Sequence, residues 1–175
     1  ALLLSLLALF TQAQSWCPPG ARWTYTDSSF IGSVPGFHVT EYEGDTTIDG
    51  IASQELLNTR YQLVGRSVQS DPSYKVYTHR SGGVVFFKFE LWNAWDTLYW
   101  FTAAPGDHWG FPQFNDTDPC NWMTVADTGS VLINGWWLHY LDCTMDSVGT
   151  RIERRITERL GYDWYFRPLP MCTGL

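Results

Sequence analysis

Basic residues are scarce in this sequence, and lysine is the scarcest. The 175 residues include 11 Lys and Arg against 18 Asp and Glu, so the net charge at pH 7 is -7, and the only lysines are Lys75 and Lys88. Nucleic-acid binding requires a basic face toward the phosphate backbone, which this composition does not supply. The two lysines also argue against a polybasic patch for membrane surfaces. We therefore expect no nucleic-acid partner.

Long apolar runs are lacking except at the N-terminus. Residues 1–10 read ALLLSLLALF, which is shorter than the about 20 residues that a transmembrane helix needs. Thr11 and Ala13 place small residues three and one positions before a cleavage site after Ala13. We interpret residues 1–13 as a signal peptide, incomplete at its N-terminus, and residues 14–175 as one exported domain without a membrane span.

The rest of the chain is rich in aromatic side chains arranged in short alternating runs. It has 10 Trp, 9 Tyr and 10 Phe within a 45% apolar composition, which excludes disorder. Period-two alternation between turn residues is typical of strands with one buried face. The sequence therefore predicts an all-β fold: a single antiparallel, hairpin-rich domain of about eight to ten strands, arranged as a barrel or a sandwich.

Three dipeptides predict where the strands reverse. Asp49-Gly50 and Asn134-Gly135 supply the positive φ angles that two-residue hairpins require, and Gly82-Gly83 joins two further runs in the same way. The segment from Arg151 to Arg159 fits either a helix face or a sheet edge. Its β-branched residues favour a strand.

Four cysteines follow the signal peptide. An even number in an exported chain favours disulfides, and three connectivities are open. We prefer the pair Cys120–Cys143, because these residues flank one predicted hairpin, with Cys17–Cys172 joining the two ends. Zinc and thioredoxin-like chemistry lack their usual C-x-x-C pair.

Five motifs follow one another along the chain. They are Gly20–Tyr25, Gly44–Gly50, Lys75–Tyr77, Asp96–Phe101 with Pro105–Trp109, and Ile156–Gly161. This series resembles the N-terminal β-rich region of secreted Bacteroidota proteins that end in a type IX secretion sorting domain. The resemblance implies export by that route and truncation of this chain before the sorting domain. It implies no catalytic residues.

No motif in the sequence predicts a catalytic site. The four histidines lack zinc-ligand spacing, and G-x-S-x-G is absent. A glycosidase-like carboxylate pair remains open among Glu41, Glu43, Asp107, Asp116, Asp118 and Asp127. Turn chemistry also accounts for Asp45, Asp49, Asp107 and Asp127. Asp116 and Asp118 form a partial match to a calcium loop, so calcium is the one cofactor that the sequence suggests.

The tryptophans are the strongest indication of a binding surface. Trp136 and Trp137 are adjacent, so on a strand they point to opposite faces and at most one can enter a single core. With Trp109 they are the predicted ligand-binding residues, although aromatic side chains more often fill the core of such a domain.

The favoured hypothesis is a non-catalytic exported β module that acts in binding, adhesion or spacing at the cell surface, with a glycan or a cell-surface protein as partner. Two alternatives stay open: a secreted hydrolase using a carboxylate pair on polysaccharide, and a lipocalin-like carrier of an apolar ligand.

Overall fold

The computed structural model describes residues 16–27, 35–91, 93–110, 122–147 and 150–163. These residues form strands joined by turns and irregular segments. No part of them forms a helix long and apolar enough to cross a membrane.

The first seven strands pair antiparallel in what we call the large sheet. Its order is β1-β2-β3-β5-β6-β7, with β4 paired to the end of β3 beside β5. The strands are β1 (Arg22–Asp27), β2 (Gly36–Ile48), β3 (Ile51–Val64), β4 (Ser67–Ser70), β5 (Tyr74–Ser81), β6 (Val84–Phe89) and β7 (Asp96–Trp100).

The remaining five strands form the small sheet, an antiparallel meander in the order β12-β11-β10-β9-β8. The strands are β8 (His108–Gly110), β9 (Trp122–Ile133), β10 (Trp136–Ser147), β11 (Thr150–Thr157) and β12 (Gly161–Tyr162). The predicted all-β antiparallel fold is confirmed. The described residues hold twelve strands, more than predicted, because β4, β8 and β12 have only four, three and two residues and leave no alternating pattern in the sequence.

The three predicted reversals are present. Asp49 and Gly50 have φ angles of 52° and 79°, and Asn134 and Gly135 have φ angles of 50° and 81°. Both residues of each turn are thus left-handed, which matches the twist of a two-residue hairpin. Gly82 and Gly83 also have positive φ angles, and they connect β5 to β6.

The segment from Arg151 to Arg159, whose sequence fits either a helix or a strand, forms most of strand β11, as predicted. Residues 150–157 pair with β10, and Ile156 lies fully buried opposite Leu141. The strand ends before Arg159, which lies in the turn to β12 with a φ of 66°.

The two sheets share one aromatic-rich core. Trp16 stacks on Trp23 of β1, with ring centroids 5.6 Å apart, and meets Tyr99 of β7 edge-on at 5.1 Å. The core also contains Leu141 and Ile156 of the small sheet. Buried rings supply large apolar areas, so the high aromatic content serves first to hold the two sheets together.

Polar contacts also join the sheets. Arg80 on β5 lies 2.9 Å from Glu158, in the turn after β11. The Tyr162 backbone N–H donates to Tyr99 Oη at 3.1 Å, and the Trp23 indole donates to the Arg159 carbonyl at 2.8 Å. These contacts place the turn between β11 and β12 against the large sheet.

Candidate functional site

Among the described residues, the most exposed tryptophans lie at the end of the β9–β10 hairpin. We call residues 131–137 the hairpin tip. Trp137 is 66% exposed, Trp136 is 55% exposed and Leu132 is 54% exposed. The Asn134-Gly135 turn fixes the register that brings these side chains together.

The hairpin tip is apolar on both of its faces. Trp137 lies opposite Leu132 in the antiparallel register, and Trp136 lies opposite Ile133. Cross-strand partners share a face and neighbouring residues do not, so the two indoles point in opposite directions, as predicted. Neither of them enters the core.

The hairpin tip extends past the shared core. Leu138 and Leu141 on β10 are only 4% and 0% exposed, whereas Trp137 is largely exposed although it lies on the same strand face as Leu141. Burial therefore begins immediately after the tip.

The sequence around the hairpin tip has no acidic residue, no lysine and no arginine. From Thr128 to Leu141 there is no Asp, Glu, Lys or Arg. The guanidinium carbon of Arg159 lies 5.1 Å from the centroid of the Trp136 ring. No carboxylate of the described residues forms an ion pair with Arg159. Its Nε atom is buried without a hydrogen-bond partner there.

The turn that carries Arg159 is fixed against the base of the hairpin. The Glu158 backbone N–H donates to the His139 carbonyl at 2.8 Å, and the Arg159 carbonyl accepts from Trp23. A non-glycine residue at a φ of 66° is uncommon and costs free energy. These neighbouring contacts hold the strained turn and so place the guanidinium on Trp136.

Trp109 has a different environment from the other two predicted ligand-binding residues. It is 7% exposed and belongs to the shared core, so it forms no part of the hairpin tip. Leu132 and Arg159 belong to the candidate site, although the sequence analysis did not select them. The uncharged run around Asn134-Gly135 is the sequence signal that points to Leu132.

Two of the four histidines, His79 and His108, pack against aromatic rings. The His79 ring stacks on Phe86 at 4.8 Å and meets Trp95 edge-on at 4.6 Å. Burial lowers the pKa of His79, which favours its neutral form. His108 stacks on Trp122 at 4.4 Å. No group of His, Cys, Asp and Glu in the described ranges is arranged to hold a metal ion.

The calcium candidates Asp116 and Asp118 lie outside the described residues, so that assignment stays a prediction.

The cysteine pairing also stays a prediction, because Cys120 and Cys172 lie outside the described residues. Cys17 and Cys143 are both buried. Burial raises the pKa of each thiol to about 12, which keeps it protonated at neutral pH and poorly nucleophilic.

Several carboxylates have structural partners. Asp107 accepts a hydrogen bond from the Ala104 backbone N–H at 2.8 Å, and Asp127 accepts one from Thr128 N–H at 2.8 Å. Glu41 pairs with Arg22 at 3.2 Å.

Asp49, in contrast, reaches across the large sheet. It forms a 2.6 Å ion pair with Lys88 on β6. The carboxylate of a turn residue therefore balances the positive charge of a largely buried lysine.

A groove of about 320 Å³ on the small sheet gathers Asp142, Glu153 and Asp163. Arg155 binds both carboxylate oxygens of Asp142, at 2.7 and 2.8 Å, and Arg154 lies 4.0 Å from Asp163. Burial raises the pKa of Asp163, and the guanidinium of Arg154 opposes this shift only in part. Asp142 and Asp163 thus each lie beside an arginine in this groove. Comparisons with protein-family models, with curated proteins and with solved structures find no match to this chain.

Proposed function

We propose that this chain is an exported, non-catalytic β module that binds a component of the cell surface through its hairpin tip. The observation that carries the proposal is the simultaneous exposure of Trp136, Trp137 and Leu132 within a stretch of sequence that has no Asp, Glu, Lys or Arg. Large exposed apolar patches mark interaction sites, because leaving them in water costs free energy.

Among the tryptophans of the described residues, Trp136 and Trp137 are the two that are exposed. Trp16, Trp23 and Trp109 are buried in the core, so a high tryptophan content does not by itself produce exposed indoles. Tryptophan is also the residue type that contributes most often to binding energy at interfaces.

The cellular setting is part of the proposal and rests on the sequence. The apolar run of residues 1–10 and the small residues before position 14 support a signal peptide. The motif series supports export by the type IX route. The even number of cysteines after the signal peptide supports disulfides formed outside the cytosol. A module of this kind would act in adhesion, or as a spacer that contacts the surface.

Co-sedimentation with isolated cell envelopes tests the proposal, with Bacteroidota envelopes as the probe. We expect the mature protein to bind, and the double variant Trp136→Ser, Trp137→Ser to bind at least about tenfold more weakly, because two large apolar contacts are lost. The matched control is Val68→Ser on β4, which removes a side chain that is 63% exposed and far from the hairpin tip in sequence. Equal binding by the double variant, or no binding by the parent protein, would contradict the proposal.

A further inference from the structure

Both faces of the hairpin tip carry exposed apolar side chains, and this restricts the kind of partner that can cover the tip. Trp137 and Leu132 occupy one face, and Trp136 and Ile133 occupy the other. A polysaccharide chain lies along one side of a ribbon, so it stacks on rings that share a face. Indoles on opposite faces instead suit a medium that encloses the whole end of the ribbon.

We propose that the hairpin tip docks into the interfacial region of a phospholipid bilayer. This inference rests on the proposed function and names its partner. Indole side chains prefer the membrane–water interface, where the ring meets acyl chains and the N–H group remains hydrated. The absence of Asp, Glu, Lys and Arg from Thr128 to Leu141 removes the largest cost of entering that region.

The backbone of the hairpin tip limits how deeply the tip can enter the bilayer. Within the described residues, β9 pairs with β8 only at residues 122–124, and β10 pairs with β11 only at residues 140–147. Residues 131–137 therefore pair with each other, and no other described strand pairs with the outer edges of the ribbon there. Unpaired N–H and C=O groups are costly in hydrocarbon. The tip consequently stays at the headgroup level, where water reaches these groups.

Arg159 is placed to contact the lipid phosphates. Its guanidinium lies on the Trp136 ring, and no carboxylate of the described residues neutralises it. An arginine beside interfacial aromatic residues is complementary to a phosphate at that depth. The net charge of -7 opposes any wider attraction to anionic lipid, so we expect the apolar contacts to dominate.

Vesicle co-sedimentation tests the assignment. The probes are phosphatidylcholine vesicles with and without phosphatidylglycerol. We expect the mature protein to bind both, with little dependence on salt. Trp136→Ser and Trp137→Ser should each weaken binding by about tenfold or more, since each removes a large apolar contact. Val68→Ser should bind as the parent protein does.

Arg159→Gln provides an independent readout. It should leave binding to pure phosphatidylcholine within about twofold of the parent protein. It should also remove any extra binding that phosphatidylglycerol produces. Thermal unfolding of every variant establishes that the fold is intact.

One result would overturn the lipid assignment without overturning the proposed function. The protein would fail to bind vesicles, while its binding to envelopes would still depend on Trp136 and Trp137, which would indicate a glycan or protein partner.

Two other results would overturn both proposals. In the first, size-exclusion chromatography shows a dimer that Trp137→Ser dissociates, which assigns the tip to a second copy of the chain. In the second, the mature protein binds neither vesicles nor envelopes.

Discussion

At the scale of single residues, Gly161 shows how closely the two sheets approach each other. It has a φ of 77°, and a Cβ atom at this position would lie 2.9 Å from Tyr99 Oη and 3.5 Å from the Trp16 ring. Tyr99 and Trp16 are fully buried, so neither ring can move aside easily. The glycine is therefore required both by its backbone conformation and by the space around it.

We predict that Gly161→Ala destabilises the protein by about 2–4 kcal/mol. The left-handed conformation costs an alanine about 1–2 kcal/mol, and the contact with Tyr99 adds a comparable amount. The matched control is Gly50→Ala, where φ is 79° and no atom lies within 4 Å of the new Cβ. Urea unfolding measures both variants. Equal losses would show that packing against Tyr99 contributes nothing.

At the scale of elements, the two Asx-Gly hairpins share a turn conformation and differ in their surroundings. Asp49 reaches Lys88 on β6, whose side chain is only 11% exposed. Asn134 occupies the same left-handed position at the exposed hairpin tip. The Asp49-Gly50 turn is thus joined to the large sheet by an ion pair, whereas the Asn134-Gly135 turn lies at the exposed end of its hairpin.

Two single substitutions, Asp49→Asn and Asn134→Asp, separate the contribution of the turn conformation from that of the ion pair. Asp49→Asn keeps the turn, because asparagine also tolerates the left-handed region, but it removes the anion beside Lys88. We expect a loss of about 1–2 kcal/mol, moderated by the 57% exposure of the Asp49 side chain. Asn134→Asp should change stability by less than about 0.5 kcal/mol. If both variants lose the same amount on chemical denaturation, the ion pair has no specific role.

The same hairpins show what could be predicted from sequence. Asp-Gly and Asn-Gly determine a reversal through local backbone chemistry, so both turns were predictable from a few residues. The contact between Asp49 and Lys88 was not, because it joins residues that are distant in sequence. For Trp136 and Trp137 the alternation predicted opposite faces, but not that both lie outside the core. That outcome depends on where β8 and β11 stop pairing with the β9–β10 ribbon.

At the scale of the whole molecule, the large and small sheets are held together by one core and a few inter-sheet polar contacts. Glu158 in the small sheet's last turn is 11% exposed and pairs with Arg80 of the large sheet at 2.9 Å. The adjacent Arg159 carbonyl accepts the Trp23 indole N–H, and Tyr99 binds the Tyr162 backbone. Because these contacts and the core are shared, neither sheet can unfold without exposing the other.

We therefore predict that the two sheets unfold in one transition, and that Glu158→Gln shifts this transition as a whole. The variant removes the Glu158 carboxylate from a charged contact with Arg80 in a partly buried site, which should cost about 1–3 kcal/mol. Glu41→Gln is the control, because it breaks the more exposed pair with Arg22 within the large sheet and should cost less than about 1 kcal/mol.

Circular dichroism and tryptophan fluorescence should give coincident midpoints for the parent protein and both variants. Separate midpoints, or a second transition that appears only in Glu158→Gln, would show that the sheets are independent units. The hairpin tip would then be carried by the small sheet alone.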